Sequence, residues 1–238
     1  MADQTREKQY QAHVALRDAK GLTHLGLRAN AAWHADPKRL GIVLARYKFV
    51  AKMLSGKKRV LEVGCGDAWA SRVVRQEVES LVGIDFDPVF VEDAIAGMED
   101  PWRFECRVHD MQAAPVEGPF DAAYALDVLE HVPQTDEDRF IHNIAASIVS
   151  PGVVIIGLPS LESQVYASPL SKEGHVNCKR APDLKALMLR YFHDVFIFSM
   201  NDEVVHTGFY ALAHYLFALS VGKREASSAR DAVRSGRL

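Results

Sequence analysis

Cysteine is scarce in these 238 residues: there are three, Cys65, Cys106 and Cys178, and no two share a CxxC spacing. An odd, scattered set argues against a disulfide framework or a cysteine zinc site. It fits a reducing compartment, so a cytoplasmic location is expected. Charge of one sign is also lacking. A formal net charge of −3 offers no concentrated basic face, so no nucleic-acid partner is expected. The opening MADQTREKQY has none of the apolar core that a secretory leader needs. One apolar run, Val204 to Val221, approaches bilayer length. His206 and His214 interrupt it, and its aromatic and β-branched residues suit strands, so it reads as core and no membrane insertion is expected.

What is present is an ordinary globular composition, 48% hydrophobic and 25% charged. Residues 3–20 read as a moderately amphipathic helix and 21–35 as a loop. Asp36-Pro37 then starts a helix that runs to about Leu54, with Ile42, Val43, Tyr47, Val50 and Leu54 towards the core. Strands are expected at 59–63, 80–85, 102–109, 120–126 and 153–158. Helical segments between them cover 67–78, 88–98 and about 127–149, the last broken near Pro133. Strands alternating with helices imply βαβ units and a parallel sheet, an α/β fold. A helix at 182–191 then leads to strand-like runs at 195–200 and 208–219. The turn Asn201-Asp202-Glu203 separates them, which suggests an antiparallel pair. The chain reads as one domain: a helical extension or lid at 1–56, a core at 57–221 and a loose basic tail at 222–238. Its oligomeric state is not legible.

The run VLEVGCGDAWASRVV joins the first strand to its helix through a glycine turn. Gly64 and Gly66 let the backbone turn sharply and a ligand approach it, and the following helix directs free N–H groups there. Asp85, at the end of the second strand, can accept hydrogen bonds from both hydroxyls of a ribose. Together these imply a nucleoside-containing cofactor. A dinucleotide fingerprint would have a third glycine where Trp69 stands. Glu62, two residues before Gly64, would repel a pyrophosphate but could pair with an amino group.

With LEVGCGD, GIDFDP, VHDM and FDAAYALDVLEHV in order across residues 58 to 160, the chain resembles the class I S-adenosylmethionine-dependent methyltransferases. The resemblance implies a Rossmann-like seven-stranded sheet, mostly parallel, with an antiparallel last strand. It implies S-adenosylmethionine as cofactor, with Glu62, Gly64, Cys65 and Gly66 at its methionine end. Asp85 would hold the ribose, Phe86 and Met111 would lie against the adenine, and Asp110 would accept from its amino group. Leu126 and Asp127 would lie near the sulfonium.

Methyl transfer from a sulfonium is an in-line displacement, and a hydroxyl acceptor must also lose a proton. His131 and His175 are the candidate bases, the second in a long segment, 159–182, of a kind that is often functional. Some similar enzymes with an acid-x-x-Glu-His run bind a divalent ion, and Asp127, Glu130, His131 and His175 offer mixed ligands, but no metal is assigned. Trp33, His34, Asp36, Lys38 and Arg39 can form a lid or part of the acceptor pocket. The expected activity is transfer to a small polar acceptor, a hydroxyl of a sugar or glycan precursor, suited by His34, His131, His175 and Asn177. The alternatives are a small-molecule N-methyltransferase and a non-catalytic nucleotide-binding protein of the same fold.

Overall fold

The computed structural model of the protein describes residues 4–225. Three helices precede the sheet: α1 (Gln11–Lys20), α2 (Leu27–Ala35) and α3 (Lys38–Met53). Five parallel strands follow: β1 (Arg59–Val63), β2 (Ser80–Asp85), β3 (Glu105–Val108), β4 (Phe120–Leu126) and β5 (Ile148–Pro159). Among them lie α4 (Arg72–Arg75), α5 (Pro88–Ala96) and α6 (Glu137–Ser147). After β5 come α7 (Pro169–Gly174) and α8 (Ala181–Leu189). The strands β6 (Phe192–Asn201), β7 (Val204–His206) and β8 (Tyr215–Lys223) complete the chain.

The sheet order is β3-β2-β1-β4-β5-β8-β6-β7, and β8 runs antiparallel to both β5 and β6. This is the expected Rossmann-like sheet with its antiparallel last strand. It has eight strands among the described residues rather than seven, because β7 folds back on the end of β6 as a short hairpin. The antiparallel pair of 195–200 with 208–219 forms, but its second strand starts later and slots between β5 and β6. The run Val204 to Val221 is therefore two strands joined by an exposed loop with a 3-10 turn at Tyr210–Leu212, and only its part in β8, Tyr215 to Ala218, is fully in the core. No helix among the described residues is long and apolar enough to cross a membrane.

Alternation along each strand builds two cores, one per face. Val60 on β1 and Ala122 and Tyr124 on β4 face α3 and α4, where they meet Tyr47, Val50, Leu54 and Val74. Leu61 and Val63, with Ala123 and Ala125, face α6 and α8, where they meet Phe140, Ile144, Leu184 and Met188. On the first face Phe217 is fully buried, with its ring 4.5 Å from that of Phe49 and 5.0 Å from that of Tyr215.

Several expectations shift. The segment 21–35 holds a helix, α2, where a loop was expected. Its signal is weak in sequence because its first N–H groups are satisfied from far away: Leu27 N donates to Asp93 and Ala29 N to Asp67, both at 2.8 Å. The helix expected at 67–78 shrinks to α4, because the chain turns through Ala68 at φ 52° before it can coil. The helical stretch after β4 is a 3-10 turn at Leu129–His131 followed by α6. β8 takes in the first two residues of the expected tail, and 226–238 lie outside the described residues.

Replacing Phe217 by alanine should cost about 3–5 kcal/mol, the usual range for emptying a buried aromatic site. Urea denaturation should show a lower midpoint at unchanged slope. A midpoint within error of wild type would mean that this face repacks freely.

Candidate functional site

The carboxyl ends of the parallel strands carry the site, where the chain must leave the sheet and leaves an open crevice. The turn after β1 has Gly64 at φ 74° and Gly66 at φ 54°, conformations that side chains resist. A Cβ at Gly64 would also lie 2.3 Å from Val128 Cγ2, so the turn needs glycine on two counts. Gly66 N donates to Asp85 Oδ2 at 2.9 Å, and Asp87 N donates to Oδ1 at 3.0 Å.

Three adjoining clefts open here. The first, about 190 Å³, is lined by Gly64, Asp85, Phe86, Asp110 and Met111, all expected cofactor residues. Phe86 is 75% exposed, an apolar side chain at the wall of this cleft. The second, about 330 Å³, lies under α2 and α3 and is lined by Arg28, Tyr47, Cys65, Asp67, Leu126 and Asp127. The third, about 420 Å³, includes Arg39, Arg46, Asp127, Glu130, His131 and His175 in its wall. Of the N-terminal set, Arg39 lines the second and third clefts.

Glu62 lines none of these clefts. It is sealed in the core, with Tyr47 Oη donating to its Oε1 at 2.8 Å, and Tyr47 in turn walls the second cleft. Burial raises its carboxyl to about 7, against the opposing pull of the Ser71, Tyr47 and Tyr124 hydroxyls. Glu62 therefore lies beneath the second cleft, behind Tyr47. Sequence reasoning also missed Arg28 on α2, whose side chain lies over the turn. A Cβ on Gly66 would lie 3.0 Å from Arg28 Cδ and Nη1. No local pattern marks Arg28, because its helix was not expected.

Asp127 is held in the left-handed region at φ 57°. Both its oxygens accept from Arg46 Nη1, at 2.9 and 2.8 Å, and the Arg46 guanidinium stacks 3.8 Å from the Tyr215 ring centroid. The next residues bring the two expected histidines together, with ring centroids 5.3 Å apart. His131 Nδ1 lies 2.9 Å from Gly174 O, and His175 Nδ1 lies 2.9 Å from Gln164 Oε1. Both partners are acceptors, since the Gln164 amide nitrogen donates to Ser160 O, so Nδ1 carries the proton and Nε2 has the free lone pair. Burial, and then the neighbouring His131 imidazole, lower the His175 pKa and so favour its neutral form.

Glu130 is 1% exposed with Oε2 unpartnered, and burial followed by the Asp127 charge pushes its carboxyl well above the carboxylate range. Ligand atoms of Glu130, His131 and His175 all lie within 4.8 Å of one another. Asp127, the fourth residue of the set considered above, is bound by Arg46. Asn177, expected near a sugar, is buried and donates to Glu137 Oε2 at 3.0 Å, so the third cleft does not use it.

A methyltransferase domain family matches residues 60–152. The ubiquinone biosynthesis O-methyltransferase of Xanthomonas oryzae pv. oryzae is 33% identical over 137 residues, covering 52% of this chain and 54% of the relative. The chain thus spans about half the length of the curated relatives it matches. Solved structures share the fold. A TehB-like SAM-dependent methyltransferase from Corynebacterium glutamicum superposes with TM-score 0.58 at 16% identity, over 90% of this chain and 96% of that one. The N-methyltransferase NodS from Bradyrhizobium japonicum, in complex with S-adenosyl-L-homocysteine, gives TM-score 0.58 at 16% identity over 80% and 91%. The chain has the fold of the class I S-adenosylmethionine-dependent methyltransferases, and its residues 60–152 match the methyltransferase domain family.

Because burial raises the folded-state pKa of Glu62 above its unfolded value, the native state loses stability as pH rises from about 4.5 through 7. Glu62→Gln has no such loss. Relative to the variant, wild type should be roughly 2.5 kcal/mol less stable at pH 8 than at pH 5. Denaturation of both proteins at the two pH values checks this. A constant difference between them would mean that Glu62 titrates alike in both states.

Proposed function

We propose that the chain transfers a methyl group from S-adenosylmethionine to a hydroxyl of a small molecule. The observation that carries the proposal is the first cleft. A carboxylate at the end of β2, an exposed phenyl ring and a second carboxylate, Asp110, meet there beside the glycine turn. They suit ribose hydroxyls, an adenine face and an adenine amino group. The methionine portion then extends over Gly66 into the second cleft, where Arg28 faces its carboxylate. The sulfonium falls by Leu126 and Asp127, at the edge of the third cleft.

Neutral His175 and its neighbour His131 stand in that third cleft, suited to accept the proton that a hydroxyl loses. The curated relatives carry O-methyltransferase names, which favours oxygen. NodS, an N-methyltransferase of the same fold, is the basis for a nitrogen acceptor instead. A sugar or glycan precursor is one hydroxyl acceptor to screen, and a phenol is another.

The convergence of a Glu130 carboxylate oxygen with the two histidines favours a second reading of the acceptor side. A divalent cation fits three such ligands, each ring being oriented by an Nδ1 hydrogen bond to a neighbour. Bound there, it would lower the pKa of an acceptor hydroxyl. The direct test is calorimetric titration with manganese. Micromolar binding lost in His131→Ala supports the cation, and absence of binding leaves the histidines as bases.

For the cofactor, S-adenosylhomocysteine should bind wild type and weaken at least tenfold in Asp85→Ala, a loss of about 1.4 kcal/mol or more. Calorimetry measures both, with circular dichroism confirming the fold of the variant. A folded wild type that binds none would overturn the proposal.

A further inference from the structure

The cofactor turn is packed against a second thiol. Cys65, between the two turn glycines, is 2% exposed, and its thiol donates to Gly66 O at 3.7 Å. Cys106 lies on β3, two strands away from β1 in the sheet. Between them runs β2, where Gly83 pairs with Glu62 on one side and Cys106 on the other. Paired residues on neighbouring strands project to the same face, so a side chain at position 83 would stand between the two cysteines. There is none. A Cβ built there would lie 3.2 Å from Cys65 Sγ and 3.0 Å from Cys106 Sγ, so both sulfurs converge on the space that the glycine leaves. Ala68, Ala94 and Phe104 pack around them, and the Glu62 and Asp85 carboxylates lie close enough to act on Cys65.

We propose that Cys65 and Cys106 form an oxidant-responsive thiol pair that, when joined, disables the cofactor turn. Cys106 is the more accessible of the two and reacts first. Its thiolate takes an oxygen from hydrogen peroxide, giving a sulfenic acid and releasing hydroxide, which takes up the thiol proton as water. The Cys65 sulfur then attacks the sulfenic sulfur; the S–S bond forms as S–O breaks, and a second water leaves. Peroxide is the two-electron oxidant, and the two thiols are oxidised. In the reduced pair, the interaction of the Cys65 thiol with Cys106, reinforced by burial, raises the Cys65 pKa, so Cys65 rests as a thiol.

The functional consequence follows from the bonds the turn already makes. Gly66 N holds Asp85 Oδ2, and the Gly64 and Cys65 N–H groups hold Ile84 O. A disulfide removes the thiol hydrogen that Cys65 donates to Gly66 O and ties its sulfur to β3, which disturbs the peptide next to Gly66 and with it the carboxylate assigned to ribose. This consequence rests on the cofactor reading proposed above, whereas the pairing of the thiols does not.

The test uses the full chain. Reduced protein is first titrated with S-adenosylhomocysteine, then treated with hydrogen peroxide, alkylated with N-ethylmaleimide and digested with trypsin without reduction. The expected product joins peptide 60–72 to peptide 104–107, two hydrogens lighter than their sum. Affinity for S-adenosylhomocysteine should fall at least fivefold and return with dithiothreitol. Cys106→Ser should abolish both effects, while Cys178→Ser should keep them. Recovery of both peptides as alkylated or over-oxidised species, with no cross-link, would overturn the thiol pair. A cross-link that leaves affinity unchanged would overturn its effect on the turn. Failure of the reduced protein to bind at all would count against the cofactor reading, and the peptide map would still decide whether the thiols join.

Discussion

Between β1 and α4 the backbone passes through Gly64 and Gly66 at positive φ and is tied to β2 as it does so. Gly64 N and Cys65 N both donate to Ile84 O, at 2.8 and 3.0 Å, and Gly66 N donates to Asp85 Oδ2. Much else hangs on this turn. Asp85 is oriented by it, so the carboxylate and the glycines form a single rigid unit. Asp67, the next residue, accepts from Ala29 N and so helps to dock α2 over the opening. Gly26, at the start of α2, approaches Asp67 so closely that a Cβ there would sit 2.5 Å from Asp67 Cβ. One short stretch thus shapes the floor of the first cleft and anchors the roof of the second.

The other side of the site rests on buried charge. Arg46 and Asp127 are mostly shielded, with side chains 14% and 18% exposed. A buried pair of this kind repays its desolvation only when its geometry is good. Here the guanidinium meets both carboxylate oxygens and also lies on the Tyr215 ring, so it is held from two directions. The return is conformational. Asp127 sits in a left-handed conformation that costs a non-glycine residue of order 1 kcal/mol or more, and the ion pair, with Asp127 N bonded to Gly157 O, keeps it there. That kink turns the chain from β4 into the 3-10 turn carrying Glu130 and His131. Arg46 accordingly positions residues that it does not touch.

How far the sequence revealed this depends on the range of the interactions involved. The strands β1, β2 and β4, the glycine turn and Asp85 were legible because their signals are local: apolar runs, φ-permissive glycines, an acid at a strand end. The residues of the first cleft followed from the family resemblance and do meet around one space. The helix α2 was not legible, since its caps come from residues 38 and 66 positions away, and Arg28 stayed hidden with it. Glu62 was read as a cofactor ligand because its position is right. Its orientation was not legible, since it depends on Tyr47 from α3 and on Tyr124 across the sheet, partners no local pattern reveals. The eighth strand was missed for a similar reason: β7 has three residues and exists only as the return of a hairpin.

The third cleft shows why its residues and those of the glycine turn differ so much in legibility. Glu130 O accepts from Val176 N at 2.8 Å and Asn177 N at 3.0 Å, so the segment after β5 is laced to the turn after β4. His131 Nδ1 reaches Gly174 O in the same segment, while Gln164, further back in it, orients His175. Lys179 and Asn177 are fastened in turn to Glu137 at the start of α6, at 2.6 and 3.0 Å. The histidine pair is therefore made by two chain segments holding each other, with backbone carbonyls supplying much of the grip. Backbone contacts leave little trace in side-chain identity, so this frame is hard to read from the residues that build it. The cofactor turn is the opposite case. Its steric demands fall on single positions that tolerate only glycine, or on one carboxylate in one place, and such demands are written directly in the residues.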